Sequence, residues 1–253
     1  MRNFIIAFFF LFTTNLFADA ISLFDWGVNI NGTVSRSVTG LPDNIVFSND
    51  FFETGLGTIT MTFKPAVTEH YSVAMFFDYE IDEQTNTFYN EYAVTEGTPP
   101  DSRLLYEIDE PGFGTADSYR DSPDTYYYIG DIYDNFSDFS NRGFDNTNFY
   151  DGYTETYLSD FENPISDDVS MAMGWNFSLT GNETAVLEYS ITSSVPASGF
   201  YLGQFDHNSS EAGVYLQSQL SITPANVPEP NVLSLFGMGL LSLCVFYRSK
   251  KNA

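Results

Sequence analysis

In the stretch DVSMAMGWNFSLTGNETAVLEYSIT, Val169, Met171, Met173, Trp175, Phe177 and Leu179 occupy alternate positions, and Ala185, Leu187, Tyr189 and Ile191 resume the pattern after Gly181-Asn182. A period of two puts all these side chains on one face of an extended strand, whereas on a helix it would scatter them around the axis. The two runs predict an antiparallel hairpin of two long strands. Phe24, Trp26, Val28 and Ile30 form a similar stripe. Asn31-Gly32 follows it, a dipeptide suited to a type I′ turn, and a return strand is expected through Val34 to Val38. Ile59, Met61 and Phe63 alternate with threonines, Tyr71, Val73, Met75, Phe77 and Tyr79 make a longer strand, and Val214, Leu216, Leu220 and Ile222 supply a last one.

These stripes predict at least seven strands in two groups, Leu23 to Tyr79 and Val169 to Ile222. Each strand has one apolar face, which must be covered by another layer. The expected fold is therefore all-β, an antiparallel β-sandwich with jelly-roll-like connections, with a closed barrel as the alternative. Between the groups, at about 80–168, Tyr, Asp, Asn and Gly predominate and Pro and Gly recur. This stretch is expected to form loops and short hairpins inserted at one end of a domain spanning 21–226.

The two ends have a different character. Residues 1–20 carry one cation at Arg2, nine apolar residues from Phe4 to Phe12 and then Ala18-Asp19-Ala20. That order is the pattern of a secretory signal peptide, cleaved after Ala20, and its apolar stretch is well short of the ~20 residues that span a bilayer. At the other end, Val232 to Tyr247 is an uncharged run of 16 residues followed by Arg248, Lys250 and Lys251. As a helix it reaches roughly 24 Å at ~1.5 Å per residue. It would therefore cross a membrane only by thinning it, with the cations held on the cytoplasmic side. Pro228-Glu229-Pro230 keeps the preceding chain extended and accessible at the outer face.

This tripartite tail, with Val-Pro-Glu-Pro, an apolar segment dotted by Gly237 and Gly239, and a short basic tip, resembles the PEP-CTERM sorting signal of exported Gram-negative bacterial proteins. The resemblance covers 227–253, with a transmembrane helix at 232–247. It differs in its sparse tip, Arg-Ser-Lys-Lys in place of a dense arginine run. It implies processing at or near Pro228-Glu229-Pro230 by an exosortase, a membrane-embedded cysteine transpeptidase. It further implies secretion machinery as a partner, transient anchoring in the inner membrane, and final residence in the cell envelope or outside the cell.

All but Asp19 and Glu229 of the 34 acidic residues lie between the two terminal signals, where the basic residues are Arg36, Lys64, Arg103, Arg120 and Arg142. The body is thus more acidic than the chain's formal −25. Such a field repels nucleic-acid phosphates and anionic headgroups, which excludes nucleic acid as a partner. The single cysteine, Cys244, lies in the tail, so the body has neither disulfides nor thiol chemistry.

Two histidines, His70 and His207, are the only ones available to a triad or a zinc site, and both are read as solvated or hydrogen-bonded. Paired carboxylates of a glycoside hydrolase require a separation that sequence does not reveal. Asp131, Asp134, Asp138, Asp145 and Asp151 offer hard oxygens on turns, suited to calcium, although no EF-hand spacing is met. Tyr126, Tyr127, Tyr128, Tyr133, Tyr150, Tyr153 and Tyr157 offer flat rings with polar tips to a polysaccharide. The expectation is a non-enzymatic exported protein with no required cofactor that contacts matrix or glycan. The alternatives are a carbohydrate-active enzyme on a jelly-roll scaffold and a calcium-stabilised adhesin.

Overall fold

A computed structural model describes residues 21–81, 91–109, 132–148, 168–206 and 213–224. The expected signal peptide, the sorting segment 227–253 and much of the 80–168 stretch lie outside the described residues. The elements in chain order are β1 (Ile21–Ile30), β2 (Thr33–Ser35), β3 (Ile45–Phe47), α1 (Phe51–Thr54), β4 (Gly57–Phe63), β5 (Glu69–Ile81), β6 (Glu91–Glu96) and β7 (Leu104–Asp109). They continue with α2 (Ile132–Ser137), β8 (Thr147–Asn148), β9 (Ser170–Leu179), β10 (Glu183–Thr192), β11 (Tyr201–Asp206) and β12 (Gly213–Pro224). The chain is all-β, as the alternation predicts.

The described strands form two six-stranded sheets, ordered β2-β1-β5-β9-β7-β8 and β3-β4-β10-β12-β11-β6. Among the described residues every pairing is antiparallel except β7 with β8. One apolar core serves both sheets. Val73, Met75, Phe77, Tyr79 and Ile81 of β5 and Met171, Met173, Trp175, Phe177 and Leu179 of β9 share it with Ile59, Met61 and Phe63 of β4 and Ala185, Leu187, Tyr189 and Ile191 of β10. Hydrogen bonds cross it: the Trp175 indole N–H donates to Ser218 Oγ at 2.8 Å, and the Tyr189 hydroxyl to the Met173 carbonyl at 3.3 Å. Each satisfies a polar atom that would otherwise be stranded among apolar groups.

The Asn31-Gly32 turn forms as expected, with positive φ at both residues (52° and 81°) and Ile30 opposite Thr33. Three other expectations are corrected. First, β9 and β10 are not a hairpin. β9 pairs with β5 and β7 in the first sheet, β10 with β4 and β12 in the second, so the chain changes sheet at Thr180–Asn182. Equal stripes on consecutive strands are also what an arch across a core requires, because each strand then turns its apolar face toward the other sheet.

Second, Phe24 does not share the face of Trp26. The pairing of β1 with β5 slips between Leu23 and Asp25, and Phe24 is 63 % exposed. A bulge adds one residue and reverses the alternation on one side of it. Third, β6 and β7 arise within the stretch read as an inserted elaboration, yet β6 pairs with β11 in the second sheet and β7 with β9 in the first.

The first sheet is also covered on its outer side. Ala74 and Phe76 of β5 and Ala172 of β9 are buried beneath Ile132, Phe136, Phe139 and Phe144, from α2 and the turn after it. The central strands are therefore buried on both faces, and any acid at an outer position of β5 loses water as well.

Candidate functional site

Of the loop aspartates proposed for calcium, Asp134, Asp138 and Asp145 fall among the described residues and Asp131 and Asp151 outside them. Asp138 accepts from Asn141 Nδ2 at 2.6 Å and lies 3.6 Å from the Arg142 guanidinium. Asp145 accepts from the Thr147 amide at 3.0 Å and from its hydroxyl. Asp134 lies in the first turn of α2. Among the described residues no group of three or more His, Cys, Asp or Glu is placed to hold a metal ion.

His70 faces Ser178 across the β5–β9 pair, with Nδ1 3.2 Å from its hydroxyl. His207 lies outside the described residues, as do Ala18, Ala20, Pro228, Glu229, Pro230, Arg248, Lys250 and Lys251. Among the described residues no helix is long and apolar enough to cross a membrane. Of the candidate tyrosines, Tyr133 is described. Its ring packs at 5.9 Å from Phe76 and carries the Arg36 guanidinium 5.0 Å from its centroid, so it helps close α2 onto the sheet.

A different set of rings forms a continuous strip on the outer face of the second sheet. Leu202, Gln204 and Asp206 of β11 are buried, while Tyr201 and Phe205, at the alternate positions, point outward and are half-buried. Phe205 stacks on Tyr92 of β6, its register partner, with centroids 5.2 Å apart and planes 22° from parallel. Tyr215 of β12 meets Phe205 edge-on at 5.4 Å and Tyr201 at 5.6 Å. The glycines beside Phe205 make this arrangement possible. A Cβ on Gly203 would lie 2.9 Å from the ring of Phe205, and one on Gly213 would lie 2.6 Å from it, so the ring rests over bare backbone. Burial raises the Tyr215 phenol above its usual pKa, with Tyr201 and Tyr92 adding to the effect.

Beyond Tyr215 on the same face of β12 lies Gln217, which donates to the Ser198 carbonyl at 2.9 Å. Gln217 also lines an open groove of about 510 Å³ together with Asp50, Thr192, Ser193, Ser194 and Pro196. Strip and groove together set aromatic rings beside hydroxyl, amide and carboxylate groups. Flat rings bind the apolar faces of sugars, and such polar neighbours bond their hydroxyls.

A second constellation lies where the ends of the two sheets meet. Glu91 opens β6 and is 2 % exposed. It accepts from the Ile81 amide at 3.2 Å through Oε1, and through Oε2 from the Val169 amide at 3.2 Å and from Gln204 Nε2 at 2.6 Å. Gln204 Nε2 also reaches the Tyr79 carbonyl at 2.6 Å. Glu91 thus joins the second sheet to the ends of β5 and β9. Its carboxyl is held well above the usual range, first by burial and further by Asp168 and Glu80, against the lowering effect of its hydrogen bonds.

Nearby, Asp78 is 1 % exposed, and neither of its oxygens has a hydrogen-bond partner among the described residues. Burial, then Asp168 and Glu80, push its pKa up to about 8 against the attraction of Arg36.

Alternation alone did not reveal either constellation. The strip is assembled from β6, β11 and β12, and its local signal is the outward pair Tyr201 and Phe205 around Gly203. The buried acids are foreshadowed by SVAMFFDYEI, an almost unbroken apolar run, which marks a strand covered on both faces. No family model matches the chain, and no curated protein or solved structure does either.

Proposed function

We propose that this is an exported, non-enzymatic protein of the cell envelope or extracellular matrix, sorted by a PEP-CTERM signal at 227–253 and holding a neutral polysaccharide on the second sheet. In this reading the two sheets make a jelly-roll-like sandwich, the signal peptide directs export, and an exosortase acts at Pro228-Glu229-Pro230 while 232–247 holds the chain in the inner membrane.

The observation that carries the binding role is the strip Tyr92–Phe205–Tyr215–Tyr201, laid over Gly203 and Gly213 beside a polar groove. Net charge selects among glycans: a chain at −25 repels uronate-rich or sulfated polymers and leaves uncharged ones free to approach.

The test is retention of the full chain on insoluble or gel-embedded neutral polysaccharides, with an acidic polysaccharide as control. Binding to a neutral polymer that Phe205→Ala and Tyr201→Ala each weaken tenfold or more supports the role, a loss on the scale of the roughly 1–3 kcal/mol that a nucleic-acid base gains by stacking on one aromatic ring. Equal retention of both variants removes it. Mass determination of the mature C-terminus tests sorting separately: a chain still ending in Lys251-Asn252-Ala253 contradicts processing.

A further inference from the structure

We propose, on the polysaccharide reading above, that the aromatic strip and the polar groove form one continuous line of subsites, which takes an extended run of several sugar units laid across the strands of the second sheet. Strand register joins the two. On the outward face Val94 of β6 stands opposite Gly203 of β11, Gly203 opposite Tyr215 of β12, and Tyr215 opposite Thr192 of β10. Thr192 already lines the groove, which also takes in Asp50, Leu56 and Gly57, the residue that opens β4. The paired rings of Tyr92 and Phe205 lie to one side of this rung, and Tyr201, opposite Glu96, lies to the other. Gly203 adds no side chain between Tyr201 and Phe205.

The line therefore crosses β6, β11, β12, β10 and the start of β4, which are consecutive in the sheet. Neighbouring strands lie ~4.8 Å apart, so the five span about 19 Å, and since that step is close to one pyranose unit of an extended glycan, the line holds about four sugars. Its two halves offer different chemistry. The β6–β11–β12 half presents rings for the apolar faces of sugars, and the β10–β4 half presents the hydroxyls of Thr192, Ser193 and Ser194 with the Asp50 carboxylate. Gln217 stands at the junction, opposite Ser190, which in turn faces Thr58.

A single sugar reaches one half and leaves the other unused. Units joined in one extended chain reach both, and each contact after the first is made at the high effective concentration that the linkage imposes. The alternative course, along β12, offers less: the outward positions past Gln217 are Gln219, Ser221 and Thr223, exposed and without a ring. The ligand is thus a neutral glycan that stays extended over about four units, one per interstrand step. A glycan coiled into a helix would turn away from the sheet before reaching the groove.

The test is displacement of the full chain from a neutral polysaccharide that retains it, using a ladder of that polymer's own oligosaccharides from the monosaccharide upward. Displacing power should rise about tenfold or more between the disaccharide and the tetrasaccharide, the scale of one well-placed contact, and then level off. Ser193→Leu, which adds bulk to the groove from an exposed position just past β10, should move the plateau to shorter oligosaccharides. Gln219→Ala, farther along β12, should leave the ladder unchanged. Equal displacement by short and long oligosaccharides overturns the line while leaving polysaccharide binding in place, and so does an unaltered ladder in Ser193→Leu. A ladder that shortens in Gln219→Ala instead assigns the path to β12 and overturns the line as well. Retention on no neutral polymer at all removes the polysaccharide reading and the line together.

Discussion

The side-chain amide of Asn29 donates to the carbonyl oxygen of Phe136 at 2.7 Å and to that of Ser137 at 3.1 Å, while its own oxygen accepts the Gly32 amide at 2.8 Å. One fully buried residue of β1 thus satisfies carbonyls at the end of α2 and also holds the Asn31-Gly32 turn. Asn29→Ala should cost about 2–3 kcal/mol, because each buried group left without a partner costs about 1–3 kcal/mol. Urea unfolding with an unchanged m-value measures it. Asn29→Asp should be worse than Asn29→Ala above neutral pH, since it directs a carboxylate at two carbonyl oxygens.

Trp175 links the sheets both through its area and through its indole N–H, which reaches Ser218. Trp175→Phe keeps an aromatic ring but loses that bond and some volume, for an expected cost on the order of 2 kcal/mol. Trp175→Ala should cost about 3–5 kcal/mol by leaving a cavity between β9 and β12. Ser218→Ala should cost less than either, since it strands one indole N–H and leaves the packing intact. If Ser218→Ala and Trp175→Phe are equally destabilising, the hydrogen bond accounts for the whole Trp175→Phe effect, contrary to this prediction.

The strands were legible in the sequence because burial of one face writes itself as a period of two. What the period does not encode is the partner. Met171 to Leu179 and Ala185 to Ile191 would read the same as a hairpin or as an arch, and long-range pairing with β5 and β4 decided for the arch. Phe24 misled for a local reason: a bulge shifts the alternation by one residue while the composition stays the same. The acids at Asp78 and Glu80 stood in plain view in β5. Their burial, however, depends on what covers the outer face of β5, and α2, which packs on Phe76 of that face, comes more than fifty residues later in the chain. Asn31-Gly32 was readable because its requirement, two positive φ angles in succession, is met by a dipeptide.

That turn yields its own prediction. Gly32 sits at φ 81°, where an L side chain is strained by about 1–2 kcal/mol. Gly32→Ala should lower stability by that amount, and Gly32→Asn by less, because asparagine tolerates the left-handed region. Thermal unfolding at fixed pH distinguishes the two. Asn31 adds a second tether to β5: its backbone amide donates to the Ser72 carbonyl and its side-chain oxygen accepts the Ser72 amide, both at 2.8 Å. Asn31→Gly, although ideal for the turn itself, should therefore still destabilise.

Gly213→Ala separates the aromatic strip from general stability. The added methyl would lie 2.6 Å from the Phe205 ring, closer than carbon atoms pack, whereas Gly213 is an outward position at the start of β12 and no positive φ is required there. The ring must lift or rotate away from the backbone, which breaks its stacking with Tyr92 at 5.2 Å. The expected result is a fold stable to within about 1–2 kcal/mol of the wild type, as for other overpacked sites at a margin. Its near-ultraviolet circular dichroism should change, and its retention on neutral polysaccharide should fall several-fold. Phe205→Leu combined with Gly213→Ala removes the clash but not the loss of the ring, so it should recover stability without recovering retention. If the double variant regains both, the rings act only as packing and the sugar face lies elsewhere.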